Sequence, residues 1–548
     1  MKKIYIPLII LLFGVSINAQ NKEEKYFKIN KNLSVFNSIL RELNSFYVDT
    51  LDYDKVVQTG INSMLASLDP YTVYLPEEMN DDIKMMTTGE YAGIGALIMQ
   101  KDGNVVISEP YEGMPAQKND LRAGDVILEV DGVGTTGKTT SQVSELLKGK
   151  NGTEITIKID RWNEKKPIVK KFARENIQFN PITYHAVLEN GTGYVMLNDF
   201  TDKAAAEFKT AVSEMVKQNK IKSLIIDVRN NPGGLVDEAV KIMGYFVPKG
   251  TPVVFTKGRN FETDRTYNSP SDPIFPEMKV AVMVNRGSAS AAEILAGAMQ
   301  DLDRGIVIGE RTFGKGLVQS IRPVGYGGHV KVTMAKYYTP SGRCVQALDY
   351  SHRNEDGSVG RIPDSLTTAF KTTNGRIVRD GGGVLPDSIT TDSRKLNIAY
   401  YILLQNHYFD YATRFAQKRK SIATPDKFSL TDAEFNDFVN YLTNEKKFTY
   451  TTQTESYYKQ LLEVAEYEGF DGTAKAEFDA LKAKLIPNVE QNIRDNRKEI
   501  EEMLTVEIIQ RYYFQKGQVQ FMLKDDNDLK VAENLLNDTS KMNKILGK

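Results

Sequence analysis

Two segments of this chain hold residues of the right type for nucleophilic chemistry: VNRGSASAAEILAGAMQD (Val284 to Asp301) and GERTFGKGLVQ (Gly309 to Gln319). The first reads as a strand, a tight Gly-Ser turn, and a helix that opens at Ser290. Ala291, Ala292, Ile294, Leu295, Ala298 and Met299 give that helix an apolar face at helical spacing. A serine at such a junction keeps its hydroxyl accessible, and the N–H groups of the first turn point toward whatever it attacks. A serine hydroxyl needs a base to take its proton at neutral pH. The chain has four histidines (His185, His329, His352, His407), and none lies in a segment of catalytic character. Lysine is the remaining common base, and Lys315 sits between two glycines, where backbone can pack closely around it. The pair to examine is Ser290 with Lys315.

The GSASA segment and the FGKG lysine 25 positions after its central serine, with the glutamine of VQ beyond, resemble the carboxyl-terminal processing peptidases, or tail-specific proteases. DVRNNPGG (Asp227 to Gly234), YYTPSGR (Tyr337 to Arg343), GGVLPD (Gly382 to Asp387) and MLASLDPYTVYL (Met64 to Leu75) extend the resemblance from about Asn44 to Asp387. Each motif is weak alone; the ordered set is specific. The resemblance implies an α/β core with a mainly parallel sheet of ClpP/crotonase-like type, an inserted PDZ domain, and helical regions at both ends. It implies a serine endopeptidase in which Ser290 attacks a peptide carbonyl and neutral Lys315 accepts the proton, passing through an acyl-enzyme. To serve as a base, a lysine must fall from ~10.4 to about 7–8. Burial against apolar neighbours such as Phe313 is one source of that shift. By match to the family motif, the Gln319 amide holds the lysine in line.

An oxyanion requires preorganised N–H donors. Ala291 supplies one by position, and the NPGG turn supplies Gly233 or Gly234, between which the sequence does not choose. Ser288 is the rival nucleophile; the offset to the lysine and the helix start favour Ser290. Glu293 and Asp301 read as structural neighbours.

The elements that position these groups are legible as changes of period. Residues 1–19 (MKKIYIPLIILLFGVSINA) read as an export signal: Lys2 and Lys3, then an apolar run over 4–17 that falls short of the ~20 residues of a membrane span. An exported, periplasmic location follows, with membrane association only if that segment is retained. Residues 20–89 form an N-terminal helical region. One stripe runs Leu33, Phe36, Ile39, Leu40, Leu43 and Phe46; another runs Val56, Val57, Ile61, Met64, Leu65 and Leu68. Asp52 caps the second, and Asp69 and Pro70 stop it, within a helical pattern that runs to about Met86. Residues 90–174 carry short strands with the SQVSELLKG helix and resemble a PDZ domain. There Ala92, Gly93, Ile94 and Gly95 form the loop that receives a peptide's terminal carboxylate, and the strand behind it pairs with the peptide. Residues 175–395 alternate strand and helix, with near-continuous apolar strands, and Asn354 to Val378 reads as a polar insertion. Residues 396–548 are helical, with Tyr400, Leu403, Leu404, His407 and Tyr408 as one stripe.

Seventy basic and 71 acidic residues leave a charge of −1, which argues against nucleic acid as a partner. The single cysteine, Cys344, allows no internal disulfide and reads as an inert side chain. No cofactor or metal is implied: the histidines are scattered and no HExxH spacing occurs. GERTFGKG approaches a P-loop, but Gly316 stands where that loop needs Ser or Thr. The expected partners are proteins or peptides held by their C-terminal tails, with an adaptor or homo-oligomer as further candidates. The alternative is a non-catalytic PDZ scaffold or holdase; the presence of both Ser290 and Lys315 argues against it.

Overall fold

The computed structural model describes residues 5–548 except 81–84, 86–87, 260, 351, 355, 391–396, 471 and 486–487, with backbone alone for 5–23 and 364. Lys2, Lys3, Met86 and the core boundary at 395 lie outside the described residues. The chain divides into two compact units: Met1–Tyr74 with Ile321–Val332, and Leu75–Ser320 with Thr333–Lys548. In the first, helix Tyr5–Phe46 runs through the expected signal boundary. Helix Tyr53–Ala66 follows, its N-terminus capped by Asp52, which accepts from the Lys55 N–H at 3.1 Å. The two apolar stripes stay largely open here: Leu33, Phe36, Ile39, Phe46, Met64 and Leu68 are exposed. Among the described residues no helix is long and apolar enough to cross a membrane.

In the second unit, a six-stranded sheet runs Ile182–Val187, Gly193–Leu197, Ser223–Asp227, Lys279–Val284, Ile306–Gly309, Ser388–Ile389. The first pairing is antiparallel and the other four are parallel. Helices Ala204–Asn219, Val236–Gly244 and Ala291–Asp301 cover one face, with Phe208, Met243 and Leu295 against Leu224, Val280 and Val282. The other face, Tyr194, Ile225, Ala281, Met283, Ile306 and Ile308, is covered by Leu529, Ala532, Leu536, Met542 and Leu546 of the last helices. Burial on both faces explains why these strands are apolar throughout. The expectation of a mainly parallel core is too broad, because the parallel ladders described lie in this sheet, with an isolated parallel bridge from Phe200 to Gly234. Strand Pro252–Gly258 pairs antiparallel with Arg265–Asn268 and with Gly328–Tyr338, and the remaining sheets are antiparallel too. Some of these pairings, such as Ala96–Lys101 with Asn104–Pro110, are hairpins, whose short connection only antiparallel pairing permits.

A smaller antiparallel sheet orders Ala96–Lys101, Asn104–Pro110, Val126–Val130, Glu154–Asp160 and Ile168–Ala173 around a core of Val105, Ile107, Ile127, Val143 and Ile157. Its helix Thr140–Leu147 starts with a full capping box between Thr139 and Gln142. The C-terminal region has its own aromatic-rich core, including Tyr408, Tyr411, Phe435, Phe438 and Tyr441. The stripe expected from Tyr400 to Tyr408 does not form. The first helix ends at Leu404, Asn406 turns left-handed at φ 59°, and a new helix starts at His407. Tyr400, Leu403 and Leu404 therefore face solvent while Ile398, Ala399 and Ile402 are buried.

Candidate active site

Ser290 lies between strand Lys279–Val284 and helix Ala291–Asp301 with φ 55° and ψ −115°. A left-handed φ in a residue with a side chain costs about 1–3 kcal/mol and persists only where the surroundings impose it. Here the whole of the following helix is buried, so the turn cannot relax by shifting it. Ser290 is half-buried, whereas Ser288 is fully buried. The Ser288 hydroxyl donates to the Val228 carbonyl at 2.7 Å and accepts from the Asn285 N–H at 3.0 Å, so it braces the loop.

The NPGG turn packs directly on this serine. A Cβ on Gly233, whose φ is +107°, would lie 2.6 Å from Ser290 Cβ and 2.9 Å from the Ala291 nitrogen. Only glycine permits that approach, and it brings Gly233 and Ala291 together. Asn231, fully buried, organises the turn. It accepts from the Gly233 N–H at 2.8 Å, donates to the Leu197 carbonyl at 2.7 Å, and its own carbonyl accepts from the Ala289 N–H at 2.9 Å. Gly234 forms a parallel bridge with Phe200, which donates to the Gly233 carbonyl and accepts from the Leu235 N–H. In a parallel bridge the enclosed residue's own N–H turns to the opposite side.

The lysine segment is joined to the serine through one buried carboxylate. Glu293 Oε2 accepts from the backbone N–H of Ser290 at 3.0 Å and of Lys315 at 2.8 Å. Its Oε1 accepts from the Thr312 hydroxyl at 2.5 Å and the Gly314 N–H at 2.8 Å. Burial pushes this carboxyl above its usual range against the pull of these donors. Gly314 and Gly316, on either side of Lys315, lie against Ala347 and Gln346, and the Gly316 N–H donates to Gln346 Oε1 at 2.8 Å. Lys315 is half-buried. Phe313, expected as its apolar cover, is 40% exposed, so the segment is enclosed by Gln346 and Ala347 instead. Gln319 lies on strand Leu317–Gly325, and its amide nitrogen donates to Thr333 Oγ1 at 3.3 Å. Tyr337, buried, donates from its hydroxyl to the Ser290 carbonyl at 3.1 Å. Burial also holds the Cys344 thiol above its ordinary value, which disfavours the reactive thiolate.

The YYTPSGR motif closes the far end of the serine helix. Asp301 accepts from the Thr339 hydroxyl at 2.5 Å and pairs with buried Arg343 at 2.8 Å. Thr312, Asn231, Tyr337 and Gln346 thus belong to the site's framework without being singled out by their sequence positions. Each lies in or beside a recognisable motif, but nothing in the sequence shows which polar groups face inward.

Just before the smaller sheet, Ala92 and Gly93 end strand Glu90–Gly93, which pairs with Glu175–Gln178 in a two-stranded sheet of its own, and Gly95 turns at φ 70°. The Ile94 carbonyl accepts from the Ala116 N–H at 2.7 Å and the Gly95 carbonyl from the Tyr111 N–H at 2.9 Å, so both are turned into the domain. Strand Ala96–Lys101 is the sheet's edge, with helix Thr140–Leu147 beside it.

Residues 191–350 match the model of peptidase family S41, residues 106–161 a PDZ domain, and residues 398–536 a probable PDZ-protease C-terminal helical domain. A carboxy-terminal-processing protease of Bartonella bacilliformis is 33% identical over 348 residues, covering 63% of this chain and 79% of the relative. A probable CtpA-like serine protease of Staphylococcus aureus is 35% identical over 337 residues, 61% of this chain and 66% of the relative. Among solved structures, a photosystem II D1 C-terminal processing protease is 31% identical with a TM-score of 0.35, covering 57% of this chain and 83% of that one. With a family match lying across both the serine and lysine segments, the chain belongs to peptidase family S41, among the carboxy-terminal-processing proteases.

Proposed function

We propose that this peptidase is a serine endopeptidase that takes substrate proteins by their C-terminal tails and cleaves them with a Ser290/Lys315 dyad. The observation that carries the reading is the Glu293 carboxylate, which holds the backbones of Ser290 and Lys315 on a single oxygen. Ser290 Oγ attacks the scissile carbonyl carbon while neutral Lys315 Nζ takes its proton. The tetrahedral oxyanion is held by the Ala291 N–H and a glycine N–H of the NPGG turn. Gly233 has its N–H committed to Asn231, which favours Gly234 as that donor. Collapse expels the amine, which takes the proton from Lys315. Water then releases the acyl group by the reverse proton path. Gln319, at the start of the strand that follows the lysine, is the residue that orients it.

The PDZ domain suggests capture of peptide C-termini, with Ala92, Gly93, Ile94 and Gly95 at the carboxylate and the free edge of Ala96–Lys101 along the peptide backbone. Export to the periplasm, from the character of residues 1–19, would place the enzyme among envelope proteins. The test is cleavage of an unfolded reporter with an apolar C-terminal tail, comparing wild type with Ser290→Ala, Lys315→Ala and a tail-blocked substrate. Both variants should be inactive though folded, and tail blocking should reduce cleavage. Activity surviving Ser290→Ala would refute the nucleophile. Tail binding without cleavage in every sample would support a binding scaffold.

A further inference from the structure

The NPGG turn is anchored at its upstream end by the C-terminal region. Arg229, four residues before Gly233, is ringed by three carboxylates. Its Nη2 donates to Asp227 and to Asp526 Oδ2, both at 2.6 Å, and its Nη1 donates to Asp528 at 3.1 Å. Asp227 is buried and also accepts from the Tyr194 hydroxyl at 2.6 Å. Asp526 is the N-cap of helix Asn527–Asn537: Oδ1 accepts from the Leu529 N–H at 3.0 Å, leaving Oδ2 for Arg229. One side chain therefore starts the helix and grips the loop. The same helix buries Leu529, Ala532 and Leu536 against the sheet face formed partly by Ile225 and Met283. From Arg229 the connection to the serine is short. Asn230 donates its N–H to Asn285 Oδ1 at 2.8 Å, Asn231 receives the Ala289 N–H, and Gly233 abuts Ser290.

We infer that Arg229 is a positioning residue and that docking of the last helices, through Asp526 and Asp528, sets the turnover of the active site in cis. A carboxylate pair on one guanidinium holds its fork in a fixed plane. That plane fixes the start of a turn in which Gly233 packs directly on Ser290. The C-terminal region thereby serves as a clamp that acts on the turn through the Asp526 and Asp528 carboxylates. The inference rests on Ser290 being the nucleophile for its kinetic readout, but not for its structural one.

The test compares full-length Asp526→Asn/Asp528→Asn with Asp526→Glu/Asp528→Glu and with Leu529→Ala, which weakens the same helix without touching Arg229. Tail-peptide cleavage, thermal midpoint and amide hydrogen exchange across residues 226–236 are measured on each. The Asn pair should lower kcat about 10- to 100-fold with KM and midpoint nearly unchanged, and raise exchange in that segment. The Glu pair should recover much of both. Leu529→Ala should lower the midpoint while kcat below the melting range stays near wild type. Wild-type kcat and exchange in the Asn pair would overturn the inference, as would equal kcat losses in the Asn pair and Leu529→Ala. A Ser290→Ala control that stayed active would remove the nucleophile assignment alone, with exchange still deciding the coupling.

Discussion

Glu293 offers the sharpest test of how the site is held together. It is fully buried and accepts four hydrogen bonds, from Ser290, Lys315, Gly314 and Thr312. In Glu293→Gln, one oxygen becomes an NH2 that must face donors. Turned toward Ser290 and Lys315, it would oppose two N–H groups. Turned the other way, it meets the Thr312 hydroxyl, which can reverse and accept, and the Gly314 N–H, which cannot. The second orientation costs least: the Gly314 N–H is left unpaired and the Thr312 O–H, which already accepts from the Val384 N–H, must find another acceptor, at ~1–3 kcal/mol for each donor left unpaired. A loss of about 2 kcal/mol lowers the midpoint by roughly 4–8 °C for a core of this size. In Glu293→Ala all four donors lose their acceptor, a loss of about 4–12 kcal/mol, comparable with the ~5–15 kcal/mol that holds a domain together. The Ala variant should not accumulate as folded protein. The Gln variant should fold, with turnover reduced about 100-fold by lost Ser290–Lys315 register and tail binding intact. Thermal unfolding, tail-peptide binding and cleavage together decide it. A folded Ala variant with a near wild-type midpoint and full turnover would refute the reasoning.

Gly233→Ala would place a Cβ 2.8 Å from the Ala289 carbonyl oxygen and 2.6 Å from Ser290 Cβ; cleavage should fall by at least about 100-fold while tail binding, measured by fluorescence anisotropy of a labelled peptide, stays. Gly95→Ala would put a Cβ 2.5 Å from Met114 Cβ at a φ of +70°, so tail binding should be lost first and hydrolysis of a short untailed peptide largely retained. Asp120 gives an acid signature in the same domain: burial pushes its carboxyl up, but bonds from Arg122, Arg161 and Lys170 outweigh this and hold it at about 2. Its stabilisation is present above the ordinary value of ~3.9 and is lost as pH falls toward about 2. Fluorescence of Trp162, the chain's single tryptophan, should show Asp120→Asn less stable than wild type at neutral pH, with the difference closing in that acid window.

The sequence carried the core strands well because burial on both faces leaves an apolar run that no solvent-facing strand would show. Ser223–Asp227, Lys279–Val284 and Ile306–Gly309 are such strands, within the stretch where strand and helix alternate. Motif glycines were equally legible, since the turn, its close approach and its positive φ are one requirement. What was not legible depends on facing. The Tyr400–Tyr408 stripe keeps helical spacing on paper, but Asn406 breaks the helix and rotates the face. The N-terminal stripes have the right period, yet their residues stay exposed or half-buried. Asn231 and Thr312 organise the site partly through contacts distant in sequence, such as Asn231 to Leu197 at 34 residues and Thr312 to Glu293 at 19, and no local pattern records those.

The placement of the site follows from the parallel strands of the six-stranded sheet. Strands Ser223–Asp227, Lys279–Val284 and Ile306–Gly309 are consecutive neighbours and all run the same way. Their carboxyl ends therefore lie side by side, and each releases a loop there: NPGG after the first, GSAS after the second, TFGKG after the third. This is the edge of an open α/β sheet at which ligands are received. Antiparallel pairing of any one strand would send its loop to the opposite edge. The serine, its glycine turn and the lysine are far apart in the chain, yet strand order alone makes them adjacent. Glu293 and Asn231 then need only lock loops already delivered to one place, and both do so as fully buried side chains that accept from backbone N–H groups. The clamp at Arg229 acts on the first of these loops from the opposite face of the same sheet, through helices whose apolar side covers Ile225 and Met283.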